Sequence, residues 1–182
     1  MRPNGLTVPI TPLLYRMSFS IRPAVAADAA DLVRLINSLA AYERLAHESR
    51  PDAETLASQL QVGASPRIEA LIAHEEGTGK CIGFALYFHN YSTFLTNFGL
   101  YLEDLFVEPE FRGQGVGFAL FRGIAGIARD RGCKRLEWNV LDWNEPAITF
   151  YEKLGALPLK GWDTMRLTRD AIERIADHGE NG

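Results

Sequence analysis

The sequence predicts a single domain of the α/β class, and three observations support this prediction. Patterns typical of strands and helices alternate along the chain in the order β-α-α-β-β-β-α-β-α-β. A glycine-rich stretch joins an apolar strand directly to a helical pattern. The 182 residues, of which 47% are hydrophobic and 23% charged, suffice for one substantial core. We expect the domain to span residues 18–178.

Two terminal segments are expected to lie outside this domain. Residues 1–17 contain three prolines and show neither an amphipathic period nor the layout of a signal peptide. We therefore expect them to form a flexible extension. Met17 is an alternative start, because it opens directly onto the first strand pattern. Residues 179–182 are expected to form a short tail.

The first half of the chain has two helical patterns between strand patterns. Asp28 suits the N-cap of a helix whose leucines recur at helical spacing. The turn sequence Glu-Gly-Thr-Gly at 76–79 favours a hairpin between two apolar strands. The predicted elements are a strand at 19–23, helices from Asp28 and over 52–61, and strands at 68–75 and 80–88.

The second half begins with a polar, aromatic loop at 90–97 and a central apolar strand at 100–107. After the glycine-rich stretch, apolar residues recur from Val116 to Ile127 with the spacing of one buried helix face. Asn144 suits an N-cap, and Gly155 suits the end of the helix it begins. The remaining predicted elements are strands at 135–141 and 162–167 and a C-terminal helix at 169–177.

Composition and charge exclude several classes of protein. The net charge of −4 provides no electrostatic footprint for nucleic acid. No apolar run approaches the ~20 residues that a membrane-spanning helix requires. Cys81 and Cys133 lie in apolar contexts, and no Cys or His residues cluster at the spacing of metal ligands. We expect buried thiols, no metal and a cytoplasmic protein.

The glycine-rich stretch predicts a phosphate-binding site. Backbone N–H groups at a helix N-terminus have no intrahelical partner and carry the positive end of the helix dipole. A P-loop would end in Gly-Lys-Ser/Thr, but Phe118 follows the last glycine here. The glycines fall at 113, 115 and 117, which does not match the spacing of a dinucleotide fingerprint.

Two blocks together resemble the GNAT N-acetyltransferase superfamily. The first is the loop Arg/Gln-x-x-Gly-x-Gly/Ala, found here at Arg112, Gly115 and Gly117. The second is Trp143-Asn-Glu-Pro-Ala-Ile-Thr-Phe-Tyr-Glu-Lys-Leu-Gly155-Ala156, where an asparagine opens a helix that ends Phe-Tyr-x-x-x-Gly. Both blocks occur in the family's order with a strand between them. The resemblance implies a mixed, twisted central sheet with helices on both faces.

The resemblance also implies acetyl-CoA as co-substrate. The glycine-rich loop would hold the pyrophosphate, and the backbone of the central strand would pair with the pantetheine arm. Asn144 would also contact the co-substrate, although it is equally suited to act only as an N-cap. The implied co-substrate residues are Leu105, Phe106, Val107, Arg112, Gly113, Gln114, Gly115, Val116, Gly117, Phe118, Asn144, Ala147, Tyr151 and Lys153.

Acetyl transfer to an amine requires a group that takes the amine proton and a group that protonates the leaving thiolate. Tyr151 is the candidate acid, because the family places this phenol beside the sulfur and a tyrosine is protonated at neutral pH. Glu103 and Asp104 are the candidate bases, acting through a water, with Glu103 placed in the catalytic set. Neighbouring strand residues point to opposite faces, so a bulge is needed to bring both acids to one pocket.

Within the superfamily the sequence is similar to the diamine acetyltransferases, the spermidine/spermine N1-acetyltransferases. Tyr-Leu-Glu-Asp before the loop and Trp-Asn-Glu-Pro after it carry this similarity. It implies substrate contacts at Tyr42, Glu43, Glu103 and Asp104, and a homodimer. Residues 91–94 lack the acid of the polyamine enzymes, and Lys160, which is equally suited to be a solvated surface residue, stands where they carry acids.

These departures favour a shorter amine, such as a diamine or a lysine-like amino acid, over a long polycation. The predicted function is therefore acetyl transfer from acetyl-CoA to a primary amine of a small substrate by direct attack in a ternary complex. Two alternatives stay open: acetylation of a protein lysine or N-terminus, and a non-catalytic CoA-binding sensor module.

Overall fold

The computed structural model describes residues 18–65 and 67–177, and the chain divides into two compact units, residues 1–139 and 140–182. The first unit contains a five-stranded sheet in the order β1-β2-β3-β4-β5. All neighbouring strands are antiparallel except β4 and β5, which are parallel, so the predicted mixed sheet is confirmed. The strands are β1 (Phe19–Pro23), β2 (Glu69–Glu75), β3 (Cys81–Ser92), β4 (Asn97–Val107) and β5 (Leu136–Glu137). The predicted extension at 1–17 and tail at 179–182 lie outside the described residues.

One face of the sheet is covered by two helices, α1 (Ala29–Tyr42) and α2 (Ala53–Leu60). Leu32 and Leu35 of α1 are fully buried because their spacing places them on the face that meets the sheet. They belong to one core cluster with Ile72 and Phe84 of the sheet. This packing holds α1 against the sheet.

The start of α1 differs from the expectation in its capping. Asp28 precedes the helix, but its carboxylate does not cap it. The side chain instead accepts hydrogen bonds from the backbone of Val25 at 2.7 Å and from the guanidinium of Arg22. A short 3-10 turn at Ala26–Asp28 places the carboxylate upstream, where the arginine of β1 reaches it. Asp52, by contrast, caps α2 by accepting from Thr55 N at 2.8 Å.

The opposite face is covered by α3 (Val116–Asp130). Val116, Leu120 and Ile124 are buried, as the helical spacing predicted. Gly123 allows a close approach to the sheet, since a Cβ at this position would lie only 2.6 Å from Leu71 Cδ1. Helices therefore lie on both faces of the sheet, as expected.

The β2–β3 hairpin is confirmed, but the predicted loop at 90–97 is wrong. Strands β3 and β4 continue through most of this range, and Ser92 pairs with Asn97. Cross-strand aromatic contacts support the extension, because the rings of Tyr91 and Phe98 meet edge to face at 5.1 Å between centroids. The turn is reduced to the four residues between the strands.

The strand predicted at 135–141 is also much shorter than expected. Only Leu136 and Glu137 form β5, pairing with Leu100 and Tyr101 of β4. A strand is held by hydrogen bonds to a neighbouring strand. Among the described residues, pairing between β5 and β4 stops at Glu137, so β5 ends there. Trp138 then packs edge to face against Phe121 of α3, with ring centroids 5.3 Å apart.

The second unit, described by itself, contains α4 (Glu145–Lys153) and α5 (Arg169–Asp177). Asn144 caps α4 by accepting from Ala147 N at 3.3 Å, and Gly155 follows the helix with φ of 89°. Both helices are confirmed. The strand predicted at 162–167 is wrong: among the described residues no strand pairs with this segment, and a strand requires a partner.

Over residues 18–65 and 67–177, none of the helices is long and apolar enough to cross a bilayer. Cys81 and Cys133 are free thiols, the former buried and the latter half-buried. Burial raises the pKa of the Cys81 thiol to about 11. This thiol is therefore protonated and unreactive at neutral pH.

Candidate active site

A β-bulge lies in β4 at the two acids that the sequence singled out. Asp104 pairs with Leu86 of β3, but the next residue of β3, Tyr87, pairs with Leu102. One step along β3, from Leu86 to Tyr87, therefore corresponds to two steps along β4, and Glu103 is the additional residue. A bulge removes the strict alternation of side chains between the two faces of a sheet. The expected device for bringing Glu103 and Asp104 to one pocket is therefore present.

The bulge places Asp104 in an acidic and partly desolvated environment. Burial, followed by the charges of Glu103 and Glu43, raises the pKa of Asp104 to about 7. Burial also raises the pKa of Glu43, the residue directly after α1. The three carboxylates come from β4 and from the C-terminal end of α1. We call these three carboxylates the acidic pocket, and their shared negative charge suits an ammonium group.

The glycine loop leads into α3, and no side-chain hydrogen bond caps the N-terminus of this helix. Gly113 and Gly115 have φ of 73° and 90°, which only glycine adopts at little cost. The first hydrogen bond of the helix runs from Ala119 N to Gly115 O, so the three preceding N–H groups point out of its N-terminal end. These groups, with the positive end of the helix dipole, are suited to a pyrophosphate.

Within residues 18–139, apart from the proline at 66, the edge of β4 that faces β5 pairs with that strand only at Leu100 and Tyr101. Beyond Tyr101, no described residue outside β3 pairs as a strand with β4. An open strand edge presents backbone N–H and C=O groups to a ligand that lies alongside it. The backbone at Leu105 and Phe106 thus has the arrangement expected for a strand-like pantetheine arm.

Arg112, the first residue of the loop motif, turns its side chain back toward the sheet. Its Nε donates to the Val107 carbonyl at 2.9 Å. Its guanidinium carbon lies 4.4 Å from the centroid of the Tyr42 ring and 5.5 Å from that of Phe106. Arg112 therefore connects the loop to α1 and β4. The Val107 carbonyl already accepts a hydrogen bond from this side chain.

The residues proposed from the second block lie in the second unit. Tyr151 lies on α4, where its ring meets that of Phe150 edge to face at 5.1 Å between centroids. Asn144 serves as the N-cap, and Lys153 is the last residue of the helix. Ala147 donates its backbone N–H to the cap. The helix that should present these residues thus forms as expected.

An ion cluster around the buried Glu108 lies at the start of the glycine loop, and sequence reasoning missed it. Glu108 directly follows β4 and pairs with Arg34 of α1 and with Lys80 at the start of β3. Arg34 also donates to the Cys81 carbonyl at 2.6 Å. A single acid after an apolar strand gives no sequence signal for two basic partners from distant parts of the chain.

A second polar group missed from the sequence lies on the sheet beyond the acids. Asn90 of β3 donates to Glu137 of β5 at 2.7 Å, and Arg135 lies 2.8 Å from the same carboxylate oxygen. The interpretation of 90–97 as a loop concealed this group, since it removed Asn90 from the sheet. Among the described residues there is no group of three or more His, Cys, Asp or Glu side chains arranged to hold a metal ion.

Residues 32–156 match the Acetyltransferase (GNAT) family. The chain belongs to this family, and the fold and loop described above are accordingly those of an N-acetyltransferase. It is 36% identical to a thialysine N-epsilon-acetyltransferase of Sus scrofa, over 87% of this chain and 98% of the relative. It is 32% identical to an L-ornithine N5-acetyltransferase of Arabidopsis thaliana, over 95% of both chains.

Solved structures show the same fold. An integron cassette protein of V. cholerae superposes with a TM-score of 0.72 at 27% identity, covering 88% of this chain and 99% of that protein. An aminoglycoside acetyltransferase from a soil metagenome superposes with a TM-score of 0.69 at 19% identity, covering 82% and 95%. The second likeness concerns the fold alone.

Proposed function

We propose that the protein transfers an acetyl group from acetyl-CoA to a primary amine of a small substrate, a diamine, polyamine or lysine-like amino acid. The observation that carries this proposal is the bulge in β4, which places Asp104, with its raised pKa, beside Glu103 and Glu43. Three carboxylates around one pocket suit a cationic amine. Relatives that acetylate thialysine and ornithine support the same class of substrate.

The co-substrate supplies the acetyl group as a thioester. The N–H groups at the start of α3, from Gly113 to Phe118, would hold its pyrophosphate, and the open edge of β4 would pair with its pantetheine arm. The positive φ of the loop glycines and the unpaired backbone of β4 fit these roles. Asn144, Ala147 and Lys153 of α4 are proposed as further contacts.

Asp104 is proposed as the base. An alkylammonium group with pKa near ~10.4 holds its proton at neutral pH, so proton removal must accompany attack. A carboxylate with a pKa of about 7 is a better proton acceptor than an ordinary aspartate. Glu103 and Glu43 would hold the ammonium, and Asp104 would receive the proton directly or through a water that Glu103 helps to orient.

Tyr151 is proposed as the acid. When the amine nitrogen bonds to the acetyl carbon, the carbon–sulfur bond breaks and the sulfur leaves as a thiolate. The Tyr151 phenol would donate its proton to this sulfur, and the second proton lost by the acylated nitrogen would restore the phenol, so the products are the amide and the free thiol. A phenol suits this role because it is protonated at neutral pH.

The test is release of free thiol from acetyl-CoA with spermidine, putrescine, lysine, thialysine and a histone-tail peptide. We expect turnover on a small amine, with kcat reduced about 10²-fold or more in Tyr151→Phe and Asp104→Asn. Asp130→Asn, at the exposed end of α3, is the matched control and should keep full activity. Turnover of the peptide alone would instead support a protein acetyltransferase, and binding of acetyl-CoA without turnover would support the sensor alternative.

We further propose a cytoplasmic homodimer that does not act on nucleic acid or membranes. The net charge of −4 supports the absence of nucleic-acid binding. The family resemblance and the exposed apolar side chains at the β3–β4 turn, Phe94 and Leu95, support self-association. Light scattering after size-exclusion chromatography tests this, and a monomer at micromolar concentration would contradict it.

A further inference from the structure

The group formed by Asn90, Arg135 and Glu137 lies on the same face of the sheet as the acidic pocket. Tyr101 of β4 pairs with Glu137 of β5, and Gly99 pairs with Asn90 of β3. Residues paired across a ladder point to the same face. A Cβ at Gly99 would meet both Asn90 Oδ1 and Arg135 Cγ, which places these two side chains together above the glycine. We call Asn90, Arg135 and Glu137 the distal group.

The charges of the distal group are held in fixed positions. Asn90 Nδ2 donates to Glu137 Oε2 at 2.7 Å, and Arg135 Nη2 donates to the Tyr91 carbonyl at 3.3 Å. Arg135 Nε lies 2.8 Å from Glu137 Oε2 but is not aligned with it as a hydrogen bond. Both charged side chains are about one-third exposed or less, and the Asn90 carbonyl oxygen is buried without a partner. A guanidinium has five donors, so the pair can still bind another anion.

The distal group and the acidic pocket both border Tyr101 of β4, because Tyr101 pairs with Glu137 and lies two residues before Glu103. Burial, followed by the charges of Glu103 and Glu137, raises the pKa of the Tyr101 hydroxyl, so both carboxylates lie near Tyr101. The negative charge of Glu103 also contributes, after burial, to the raised pKa of Asp104. From Tyr101 to Asp104 is three residues of strand, about 10 Å. This distance suits a substrate with a charged group at each end.

We propose that the distal group binds the α-amino-carboxylate head of a diamino acid whose terminal amine reaches Asp104. Arg135 binds the carboxylate and Glu137 binds the α-ammonium. This inference rests on the proposed function and names its substrate class. The guanidinium plane matches a carboxylate, which a simple diamine or polyamine lacks. The second ammonium of a diamine or polyamine would still pair with Glu137, but Arg135 would then face a cation with no carboxylate to offset it.

Matched substrate pairs test the inference: lysine against cadaverine and ornithine against putrescine, in which only the carboxylate differs. We expect kcat/KM for lysine to exceed that for cadaverine by at least tenfold, mainly through KM. Lysinamide, which keeps the α-amine but loses the negative charge, should behave like cadaverine. This comparison uses the unchanged protein and does not depend on the folding of a variant.

The substitution Arg135→Gln should lower kcat/KM for lysine at least tenfold and raise kcat/KM for cadaverine, because a positive charge is removed. Arg129→Gln, an exposed residue of α3 paired with Asp130, is the control and should leave the ratio unchanged. Equal use of lysine and cadaverine by the unchanged protein, or an unaltered ratio in Arg135→Gln, would overturn the inference but not the proposed function. Failure to acetylate any amine would overturn both.

Discussion

The guanidinium carbon of Arg112 lies 4.4 Å from the centroid of the Tyr42 ring. Arg112 begins the glycine loop, and Tyr42 is the last residue of α1, next to the acidic Glu43. The same guanidinium donates to the Val107 carbonyl at the end of β4. One side chain therefore connects the loop proposed for acetyl-CoA with the pocket proposed for the amine.

Replacing Arg112 should affect both substrates. In Arg112→Ala the ring contact and the hydrogen bond are lost, a combined effect of about 1–2 kcal/mol. We expect KM to rise for acetyl-CoA and for the amine together, as measured by varying each at saturation of the other. Arg122→Ala, on the exposed side of α3, is the control. A rise in KM for acetyl-CoA alone would show that the contact with Tyr42 does not position the amine pocket.

Asp104 should make the free protein less stable as the pH rises toward 7. Its pKa is about 7 in the folded state and about 4 in the unfolded state. Between these values the folded state binds the proton that the unfolded state has lost, so the free energy of unfolding falls with rising pH.

Asp104→Asn should therefore raise the free energy of unfolding at pH 8 by about 1–2 kcal/mol, a figure reduced for water screening of the half-buried group. At pH 4 the same substitution should have little effect. Urea denaturation without substrates measures both, with Asp130→Asn as the surface control. An equal gain at the two pH values would contradict ionisation as the cause.

Glu108 should contribute more to stability than its neighbour Glu110. Glu108 is buried and pairs with Arg34 and Lys80, whereas Glu110 is exposed and lies 3.6 Å from Lys80. Removing Glu108 takes the buried carboxylate from Arg34 and Lys80, which keep only the exposed partners Asp31 and Glu110. We expect Glu108→Ala to lower the free energy of unfolding by about 2–3 kcal/mol, and Glu110→Ala by less than about 0.5 kcal/mol. Similar effects of the two substitutions in thermal unfolding would refute this assignment.

The two glycines Gly115 and Gly117 should respond differently to alanine. Gly115 has φ of 90°, a conformation that costs an alanine about 1–2 kcal/mol, whereas Gly117 has no positive φ. A Cβ at Gly117 would lie 3.8 Å from Val107 Cγ2, an ordinary contact. We expect Gly115→Ala to weaken acetyl-CoA binding about tenfold in calorimetry and Gly117→Ala to change it little. Equal losses of acetyl-CoA affinity in the two variants would show that the added methyl group obstructs the ligand, and that backbone conformation is not the cause.

The glycine loop and the two helices α3 and α4 could be predicted because local sequence determines them. Positive-φ glycines, N-cap residues and helical spacing act over a few neighbouring residues. The acids Glu103 and Asp104 needed one further step, since their convergence follows from a bulge that adjacent acids in an apolar strand only suggest.

The features missed depend on partners distant in sequence. Asn90 lies in a polar, aromatic segment typical of a loop, yet it pairs with Gly99 in the sheet. The segment 162–167 has a strand-like composition, but a strand forms only where another strand accepts its hydrogen bonds. The distal group joins residues of β3 and β5 that are 47 positions apart. No local pattern could reveal it.

The bulge at Glu103 also makes β4 one residue longer than its pairing with β3 requires. On either side of it the register is regular, with Leu86 opposite Asp104 and Tyr87 opposite Leu102. Deleting Glu103 would leave every other pair of this hairpin in its present register. The hairpin would straighten and keep its core, while the amine pocket would lose one carboxylate. Strand pairing therefore does not require this residue, and the role proposed for it is to supply a carboxylate to the amine pocket.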